Sequence, residues 1–529
     1  MKVLITDPIS SGALFVLEAE DTWDIIVTSP TEFTQHLAGA DAIVCRGATK
    51  ITKEVLDQAP KLRAIGRAGI GVDNVDVEAA TAKGVVVMNT PGGNAISVAE
   101  HTLALMFALA RLVPQANEST KAGKWEKKKF MGTELNGKTL GIIGLGNIGM
   151  QVARRARPLG MTLIAHDPFV SRELAKDRGV ELLALDELFA KSDYITLHLS
   201  VTPETERLLS IDAFAKMKDG VRLVNCARGE LIDPEVLEAA LVSGKVAGAA
   251  LDVFAQEPPT SSPLLAHENV IATPHIGGST EEAQETVGVR IAEQVRDYLN
   301  GGVVTNAVNM PSISAEQYGK LRPYLDLASR LGSFVAQIAT ARPRRVTITY
   351  SGNILKENTS LIRNSALTGI LNRFLSQKAN LINAAQVAAE RGLAVSENHR
   401  TRTQDAGSLS LVLETEQGER AVQGAVFADQ SPRLIRVDGI NVETSLDGHM
   451  VFLKNSDVPG VIGRLGTILG DNQINIADFS LGRREPGPAP GQPAEAVAVI
   501  RIDAALPKEV LDQLLELQAV NFARTVELR

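Results

Sequence analysis

The stretch from Thr139 to Asp167 constrains the fold of this 529-residue chain more than any other. It reads TLGIIGLGNIGMQVARRARPLGMTLIAHD. An apolar, strand-like run leads into GLGNIG at residues 144–149, a helical pattern follows, and a second apolar run from Met161 to Ala165 leads to Asp167. This order predicts a β-strand, a helix and a second β-strand, with a G-x-G-x-x-G turn after the first strand.

Each glycine of this turn has a separate physical reason. Gly144 lets the chain leave the strand sharply, Gly146 lets a pyrophosphate approach the backbone, and Gly149 lets the helix pack closely on the sheet. The free amides at the start of the helix then face an anion. Asp167, 18 residues after Gly149, is placed to accept hydrogen bonds from a ribose diol and to repel a 2′-phosphate. The stretch therefore predicts NAD as the cofactor.

Length and charge limit the other possibilities. A chain of 529 residues divides into three or four domains of ordinary size. The net charge of −8, with no basic block beyond residues 127–129, argues against a nucleic-acid partner. Cys45 and Cys226 have neither disulfide nor metal spacing, which predicts the reducing cytoplasm and no metal. The start of the chain lacks the pattern of a signal peptide, and the absence of a run of 18 apolar residues predicts no membrane partner.

Strand and helix patterns divide the chain into an α/β half and an α+β half. Residues 1–95 and 287–311 are predicted to form one discontinuous, flavodoxin-like substrate domain, into which a doubly wound, parallel-sheet Rossmann domain of residues 96–286 is inserted. The predicted strands of the first domain are Val3–Ile5, Ile25–Thr28, Ala42–Cys45 and Leu62–Gly66. Later strands of the second are predicted at Tyr194–Leu199, Arg222–Cys226, Val246–Asp252 and Val270–Thr273. The predicted connecting helices are Ser97–Leu112 and Glu281–Leu299.

The pattern changes after Pro311. Residues 312–445 are predicted to be an α+β domain with helices at Tyr318–Ile338 and around Thr368–Arg391, and with strands at Val346–Tyr350, Ser408–Glu414 and Ala421–Phe427. Residues 446–529 predict a βαββαβ module. Its predicted elements are Met450–Lys454, Val461–Asp471, Ile474–Leu481, Ala496–Ile502 and Lys508–Leu517, with a Pro/Gly-rich loop from Arg484 to Pro493.

Polar residues follow three predicted strands of the Rossmann domain. In an open α/β sheet the ligand lies beyond the carboxyl ends of the strands, where Arg228, Glu257 and His275 are found. Removal of a hydride from a 2-hydroxy acid requires a base for the hydroxyl proton, for which histidine is suited. Arginine provides a fork for a carboxylate, and a carboxylate beside the imidazole fixes its tautomer.

Each of these residues also has a purely structural explanation. Arg228 could cap a helix, Glu257 could be a solvated loop charge, and His275 could satisfy a backbone carbonyl; the coincidence of all three at strand ends favours catalysis. His101 lies on an apolar helix and is predicted in a core or interface, whereas His198 ends a strand and is predicted near the cofactor cleft. The glycine-rich loop of residues 66–76 either binds an anion or simply turns.

Four motifs make the chain similar to the D-2-hydroxyacid dehydrogenase family. They are GLGNIG at 144–149, NCARG at 225–229, DVFAQEP at 252–258 and TPHIGG at 273–278. Residues 66–75, residues 125–140 and the long tail resemble the four-domain branch of the family. The DVPG turn at 457–460 and INIADF at 474–479 resemble an ACT sensor domain.

The resemblance implies NAD-dependent oxidation of 3-phospho-D-glycerate to 3-phosphohydroxypyruvate, the first step of L-serine biosynthesis. It implies catalytic roles for Arg228, Glu257 and His275. It implies cofactor contacts from Ile70, Gly144, Gly146, Asn147, Ile148, Gly149, Asp167, Leu199, Cys226, Ala227, Asp252, His275, Ile276, Gly277 and Gly278. It implies substrate contacts from Arg46, Arg67, Gly71, Val72 and Lys127, with Lys127 reaching from a neighbouring subunit.

The resemblance also implies regulation and assembly. Asn455, Asp457 and Asn475 match positions that bind L-serine between paired ACT modules in regulated relatives. The apolar helix from Ser97 to Leu112 and the ACT module predict a homo-oligomer, with a tetramer favoured over a dimer. Two alternatives stay open: a dehydrogenase for another 2-hydroxy acid such as 2-hydroxyglutarate, and an NAD-sensing, corepressor-like binding protein.

Overall fold

A computed structural model describes residues 1–375, 378–400, 407–484 and 494–528 of the chain. Within these ranges the protein forms sheets of five, seven, six and four strands, which follow one another along the sequence. The first two sheets are parallel throughout, so the predicted combination of α/β and α+β domains is confirmed. The predicted loop from Arg484 to Pro493 lies, apart from Arg484, outside the described residues.

The first sheet has the strand order β2-β1-β3-β4-β5, which is the flavodoxin-like order. Its strands are β1 (Lys2–Ile5), β2 (Asp24–Val27), β3 (Ala42–Cys45), β4 (Ala64–Arg67) and β5 (Val86–Met88). Its helices are α1 (Ser11–Glu18), α2 (Lys53–Asp57) and α3 (Val77–Ala82). The four predicted strands are present to within two residues, and the short strand β5 was missed.

Two helices lead from the first sheet to the second. They are α4 (Ala95–Arg111) and α5 (Val113–Lys121). Helix α4 carries nine buried residues and shares a core with the second sheet. No single helix in the described ranges is long and apolar enough to cross a membrane; α4 and α5 meet the length and composition test only as a pair, which is bent by 63°.

The second sheet has the order β12-β11-β10-β9-β6-β7-β8 of a doubly wound fold. Its strands are β6 (Thr139–Ile143), β7 (Thr162–His166), β8 (Glu181–Leu182), β9 (Tyr194–Leu197), β10 (Val221–Asn225), β11 (Val246–Leu251) and β12 (Val270–Ala272). Its helices are α6 (Asn147–Ala156), α7 (Arg172–Asp177), α8 (Leu185–Lys191), α9 (Ile211–Lys216) and α10 (Pro234–Val242). The later strands end one or two residues earlier than predicted, because residues such as Asp252 and Thr273 already belong to the loops that follow.

Helix α11 (Glu281–Gly301) returns the chain to the first domain. Val287, Ile291 and Val295 of α11 share a buried core with β1 and β3. Beyond the helix, the amide of Val308 donates to the carbonyl of Val87 at 2.8 Å. This packing supports the predicted discontinuous substrate domain, whose exact limits stay a prediction.

The third sheet has the order β14-β13-β15-β16-β17-β18. Its strands are β13 (Pro343–Ser351), β14 (Ala394–Arg400), β15 (Ser408–Thr415), β16 (Gly418–Val426), β17 (Pro432–Val437) and β18 (Ile440–Ser445). Its helices are α12 (Ala315–Ile338), α13 (Thr359–Leu371) and α14 (Ala384–Glu390). The helices predicted around Thr368–Arg391 are present as α13 and α14, but α13 begins earlier than predicted, at Thr359. Between the two helices, the side chain of Asn372 bonds both backbone groups of Ala379. Strands β14, β17 and β18 were not predicted.

The last domain is the predicted βαββαβ module. Its elements are β19 (Gly448–Ser456), α15 (Val461–Asp471), β20 (Ile476–Arg483), β21 (Glu495–Ile502), α16 (Lys508–Leu515) and β22 (Val520–Leu528). The antiparallel sheet has the order β20-β21-β19-β22. Phe452 of β19 packs edge-on against Phe334 of α12, with ring centroids 6.1 Å apart, so the third and fourth domains share a core.

Candidate active site

Adjacent parallel strands bring the predicted catalytic residues together. Arg228 follows β10, Glu257 lies in the loop between β11 and β12, and His275 follows β12. Because these strands are neighbours in the sheet, their carboxyl ends meet at one edge. Nδ1 of His275 lies 2.8 Å from Oε2 of Glu257. This hydrogen bond leaves Nε2 as the imidazole nitrogen that is available to a substrate.

The backbone at His275 is held in an unusual conformation. Its φ of 53° lies in the left-handed region that few non-glycine residues adopt. The amide of His275 donates to the carbonyl of Asp252 at 2.9 Å. The carboxylate of Asp252 accepts from the amides of Ile276 and Gly277 at 2.9 and 2.8 Å and from the hydroxyl of Thr273 at 2.6 Å. Asp252 therefore fixes the loop that presents His275.

His101 completes this hydrogen-bonded cluster, which sequence reasoning did not foresee. Its Nε2 lies 3.2 Å from Oγ1 of Thr273 and 3.3 Å from Oδ1 of Asp252. Burial alone would raise the pKa of Asp252, but hydrogen bonds from His101, Thr273 and the two loop amides hold that pKa below its usual value. The position of Asp252 directly after β11 was a signal that it contributes to the site, because the loops after strand ends form the site in such a sheet.

Cys226 lies beside this cluster but has the properties of a core residue. One ligand atom each from His101, Cys226 and Asp252 lies within 4.8 Å of the others. Burial raises the pKa of the Cys226 thiol to about 12, so the thiolate that binds metals is disfavoured. The carboxylate of Asp252 is also already hydrogen-bonded to the loop. The arrangement is that of a hydrogen-bonded core and not of a metal centre.

A cavity of about 630 Å³ opens between the first two domains. It is lined by six of the predicted site residues, namely Arg46, Arg67, Arg228, Glu257, His275 and Gly278, and also by Lys50, Asp73, Asn94 and Gln284, which were not predicted. Burial lowers the pKa of Arg67, and the guanidinium groups of Arg228 and Arg46 lower it further. The lining carries four basic side chains, from Arg46, Lys50, Arg67 and Arg228, and three acidic ones, from Asp73, Glu230 and Glu257. The basic groups are of the kind that binds a carboxylate and a phosphate.

The predicted substrate residues Gly71 and Val72 lie in the loop beside this cavity. A Cβ added to Gly71 would overlap Nη2 of Arg228, so the glycine allows the two domains to approach. Lys127 is not among the residues that line the cavity. It lies in an exposed segment with its Nζ 5.7 Å from the centroid of the Trp125 ring.

The glycine turn has the geometry that its sequence predicts. Gly144 has a φ of 92°, and a Cβ there would overlap the carbonyl of His198. A Cβ on Gly149 would overlap the carbonyl of Gly144, whereas nothing lies within 4 Å of the corresponding position on Gly146. Among the described residues no side chain caps the start of α6 at Gly146, so the amides of Asn147 and Ile148 are left available to an anion. These features fit the pyrophosphate of NAD.

Asp167 has a second role besides the predicted one. Its Oδ2 accepts from the amide of Leu145 at 2.8 Å, and its Oδ1 accepts from the amide of Phe169 at 2.8 Å. The carboxylate thus ties the end of β7 to the glycine turn. Each oxygen retains a lone pair for a ribose hydroxyl. Phe169, two residues further along, is 95% exposed.

The remaining predicted cofactor residues lie at the carboxyl ends of the strands of the first two domains or in the loops that follow them. Leu199 lies against Gly144, and Gly278 lies against Asn94. Cys226 and Ala227 are buried, and the carbonyl of Ile70 accepts from Asn89 at 2.6 Å. His198, predicted near the cleft, is a neutral residue, because burial lowers its pKa to about 3.

The predicted effector residues fall in two places. Asn455 and Asp457 line a cavity of about 310 Å³ in the last domain. Oδ1 of the buried Asn455 has no hydrogen-bond partner among the described residues, and Asp457 pairs with Arg483 at 2.9 Å. Asn475 does not line this cavity and donates instead to Asp503 at 2.7 Å. The three residues are not brought together within one chain.

Comparison with known proteins agrees with this fold and site. Residues 103–277 match the NAD-binding domain of the D-isomer specific 2-hydroxyacid dehydrogenases. The solved D-lactate dehydrogenase of Aquifex aeolicus, in complex with NAD and lactic acid, is 30% identical, with a TM-score of 0.53, over 59% of this chain and all of that one. The TT0316 protein of Thermus thermophilus is 35% identical, with a TM-score of 0.54, over 58% of this chain and all of that one. The fold and the site thus define an NAD-dependent dehydrogenase of the 2-hydroxyacid class.

The rest of the chain narrows this class. Residues 320–438 match the D-3-phosphoglycerate dehydrogenase intervening domain, and residues 449–518 match the ACT domain. D-3-phosphoglycerate dehydrogenase of Methanocaldococcus jannaschii is 42% identical over the full length of both chains. The enzyme of the same name from Bacillus subtilis is 39% identical over all of this chain and 99% of its own. The chain belongs to the D-3-phosphoglycerate dehydrogenase family.

Proposed function

We propose that the protein oxidises 3-phospho-D-glycerate to 3-phosphohydroxypyruvate with NAD, the entry step of L-serine biosynthesis. The observation that carries this proposal is the single cavity in which the His275–Glu257 pair meets Arg228, Arg46 and Arg67. A 2-hydroxy acid requires the pair and one arginine, and a second anionic group requires the other two arginines.

The chain's own residues divide the chemistry between them. Nε2 of His275 accepts the proton of the substrate hydroxyl, because Nδ1 is held by Glu257. Arg228 binds the carboxylate, and Arg46 and Arg67 bind the phosphate. Bound NAD supplies the acceptor for the hydride from C2. The amides at the start of α6 hold the cofactor's pyrophosphate, and Asp167 contacts its ribose.

The lining of the cavity supports a substrate with a second anionic group over one without. Placement of Arg46 or Arg67 outside the cavity would have favoured a hydroxy acid without a phosphate. Both arginines line it. A corepressor-like protein would share the fold, but the similarity over the full chain is to dehydrogenases.

The test is initial NADH formation from 3-phospho-D-glycerate at alkaline pH. We expect the wild-type protein to be active and the kcat of His275→Ala to be about 10²–10⁴-fold lower. Glu235→Gln, an exposed change on α10, is the control and should leave the rate unchanged. An inactive wild-type protein that still binds NADH would overturn the substrate assignment and leave the class of enzyme intact.

L-Serine is the proposed effector of the ACT domain. The unpartnered Oδ1 of Asn455 can accept from the ammonium or hydroxyl of serine, and Asp457 can pair with the ammonium. Since Asn475 lies elsewhere, a complete site requires a second copy of this domain. We expect saturating serine to slow turnover of the wild type and of the exposed control Asp471→Asn, but not of Asp457→Asn. Unchanged wild-type turnover would contradict this proposal.

A homotetramer is the proposed assembly. The segment from α4 to residue 131 exposes large apolar side chains, namely Ile96, Phe107, Val113, Trp125 and Met131. Such a patch is typical of an interface between subunits. Assembly would also place Lys127 near the site of a neighbour. Light scattering should show smaller particles for Trp125→Glu than for the wild type or Val242→Glu, a control on another exposed apolar residue. Localisation in the cytoplasm remains a prediction.

A further inference from the structure

Asp73 and Arg228 form an ion pair across the cleft between the two domains. Oδ2 of Asp73 lies 3.0 Å from Nη2 and 3.2 Å from Nε of Arg228. Asp73 belongs to the loop after β4 of the first domain, whereas Arg228 follows β10 of the second. The pair therefore joins the two walls of the cavity.

The local fold of the loop does not depend on Asp73. Asn74 holds the loop by donating to the carbonyls of Arg46 and Thr49 at 2.7 and 2.6 Å. Asp76 caps α3 by accepting from the amide of Ala79 at 2.9 Å. Within the described residues, the carboxylate of Asp73 hydrogen-bonds only to Arg228. Its side chain is 75% exposed, so burial does not explain its position either.

The pair occupies the edge of Arg228 that a substrate needs. A guanidinium binds a carboxylate best through two parallel N–H groups, and Nε with Nη2 is one such edge. Nη1 donates to the carbonyl of Ala227 at 2.7 Å within its own domain. The side chain of Asp73 thus takes the place that the carboxylate of a 2-hydroxy acid would take.

We infer that Asp73 is an internal competitor that every carboxylate ligand must displace from Arg228, and that it thereby keeps weakly bound, singly charged acids out of the site. Displacement exchanges one carboxylate for another, so Arg228 stays paired, and an exposed ion pair costs little to open. A ligand with a second anionic group gains contacts to Arg46 and Arg67 that Asp73 does not provide. A monocarboxylate lacks the group that would contact Arg46 and Arg67, so less of the cost of displacing Asp73 is offset. This preference for doubly anionic 2-hydroxy acids rests on the proposed function.

The inference is tested by equilibrium binding of oxamate, a non-reacting monocarboxylate, to the enzyme–NADH complex, followed by NADH fluorescence. The variant is Asp73→Asn, which keeps the shape and removes the charge. Glu78→Gln is the matched control, because Glu78 is an exposed acid a few residues away on α3. We expect oxamate to bind Asp73→Asn about two- to fivefold more tightly than the wild type or the control. The difference should shrink as salt is added.

A second measurement separates competition from a merely structural role. The KM for 3-phospho-D-glycerate should fall in Asp73→Asn while kcat changes less, and Asp73→Glu should restore the wild-type KM. Weaker, unchanged or undetectable oxamate binding in Asp73→Asn would overturn the inference. Tighter oxamate binding without turnover of 3-phospho-D-glycerate by the wild type would uphold the inference and reject the substrate.

Discussion

Nδ1 of His275 is hydrogen-bonded to Oε2 of Glu257 at 2.8 Å, and the backbone of His275 is bonded at the same time to Asp252. One acid therefore orients the imidazole ring and the other fixes the loop. The side chains of His275 and Glu257 are 50% and 38% exposed, whereas that of Asp252 is 1% exposed. The two acids should consequently respond differently to substitution.

Replacement of Glu257 by glutamine should impair turnover with little effect on folding. The amide no longer supports a protonated imidazole, so we expect kcat to fall by about 10²-fold or more while KM changes less. Steady-state kinetics together with thermal unfolding measure both effects. A fall in melting temperature as large as that of Asp252→Asn would show that Glu257 is mainly structural.

Replacement of Asp252 by asparagine should destabilise the protein. Asparagine has an NH₂ group in place of one carboxylate oxygen. The buried backbone amide of Ile276 or Gly277 therefore loses its acceptor, at a cost of about 1–3 kcal/mol. The pKa of Asp252 is lower in the folded chain than its ordinary value of 3.8. The stability that the charge contributes is therefore fully present above about pH 4 and is lost as the pH falls through the folded pKa. Denaturant unfolding of the wild type and of Asp252→Asn at several pH values checks this. The difference between their free energies of unfolding should narrow only below about pH 4.

His198 should make the protein less stable in mild acid. Burial lowers its pKa from 6.5 to about 3. Between these values His198 is protonated in the unfolded chain but neutral in the folded chain. The stability due to neutral His198 is complete above pH 6.5 and declines below it, by up to about 1.4 kcal/mol per pH unit. In His198→Gln the free energy of unfolding should therefore fall less steeply between pH 6 and 4 than in the wild type, as denaturant unfolding at several pH values would measure. Equal slopes in the two proteins would show that His198 is protonated in the folded state.

Two glycines of the same turn should behave differently when changed to alanine. At Gly149 the added methyl group meets the carbonyl of Gly144, so Gly149→Ala should lower stability by about 1–3 kcal/mol. At Gly146 the methyl group has no described protein atom within 4 Å, and it would stand where the proposed cofactor site needs the pyrophosphate to approach. Gly146→Ala should fold normally and bind NADH at least about tenfold more weakly. Thermal unfolding without cofactor and NADH titration distinguish the two, and normal binding by Gly146→Ala would contradict the assigned cofactor site.

Several features were predictable because their signals lie close together in sequence. The nucleotide turn needs glycine at three fixed positions. In a parallel sheet, the residues that follow the carboxyl ends of neighbouring strands lie together at one edge. Arg228, Glu257 and His275 follow from these facts. A further local signal was available but was not used: Asp438 and Gly439 have φ values of 48° and 83° and join β17 to β18, as an Asp-Gly hairpin turn does.

The sequence by itself determined the order of the four domains, the nucleotide turn and the catalytic set, because each depends on residues within one strand–loop unit. Only the tertiary structure decided that Asp73 reaches Arg228, that His101 supports Asp252, and that Asn475 lies apart from Asn455. Those relationships join residues of different units. Their distances depend on how domains and strands pack, and no local pattern of residues specifies that packing.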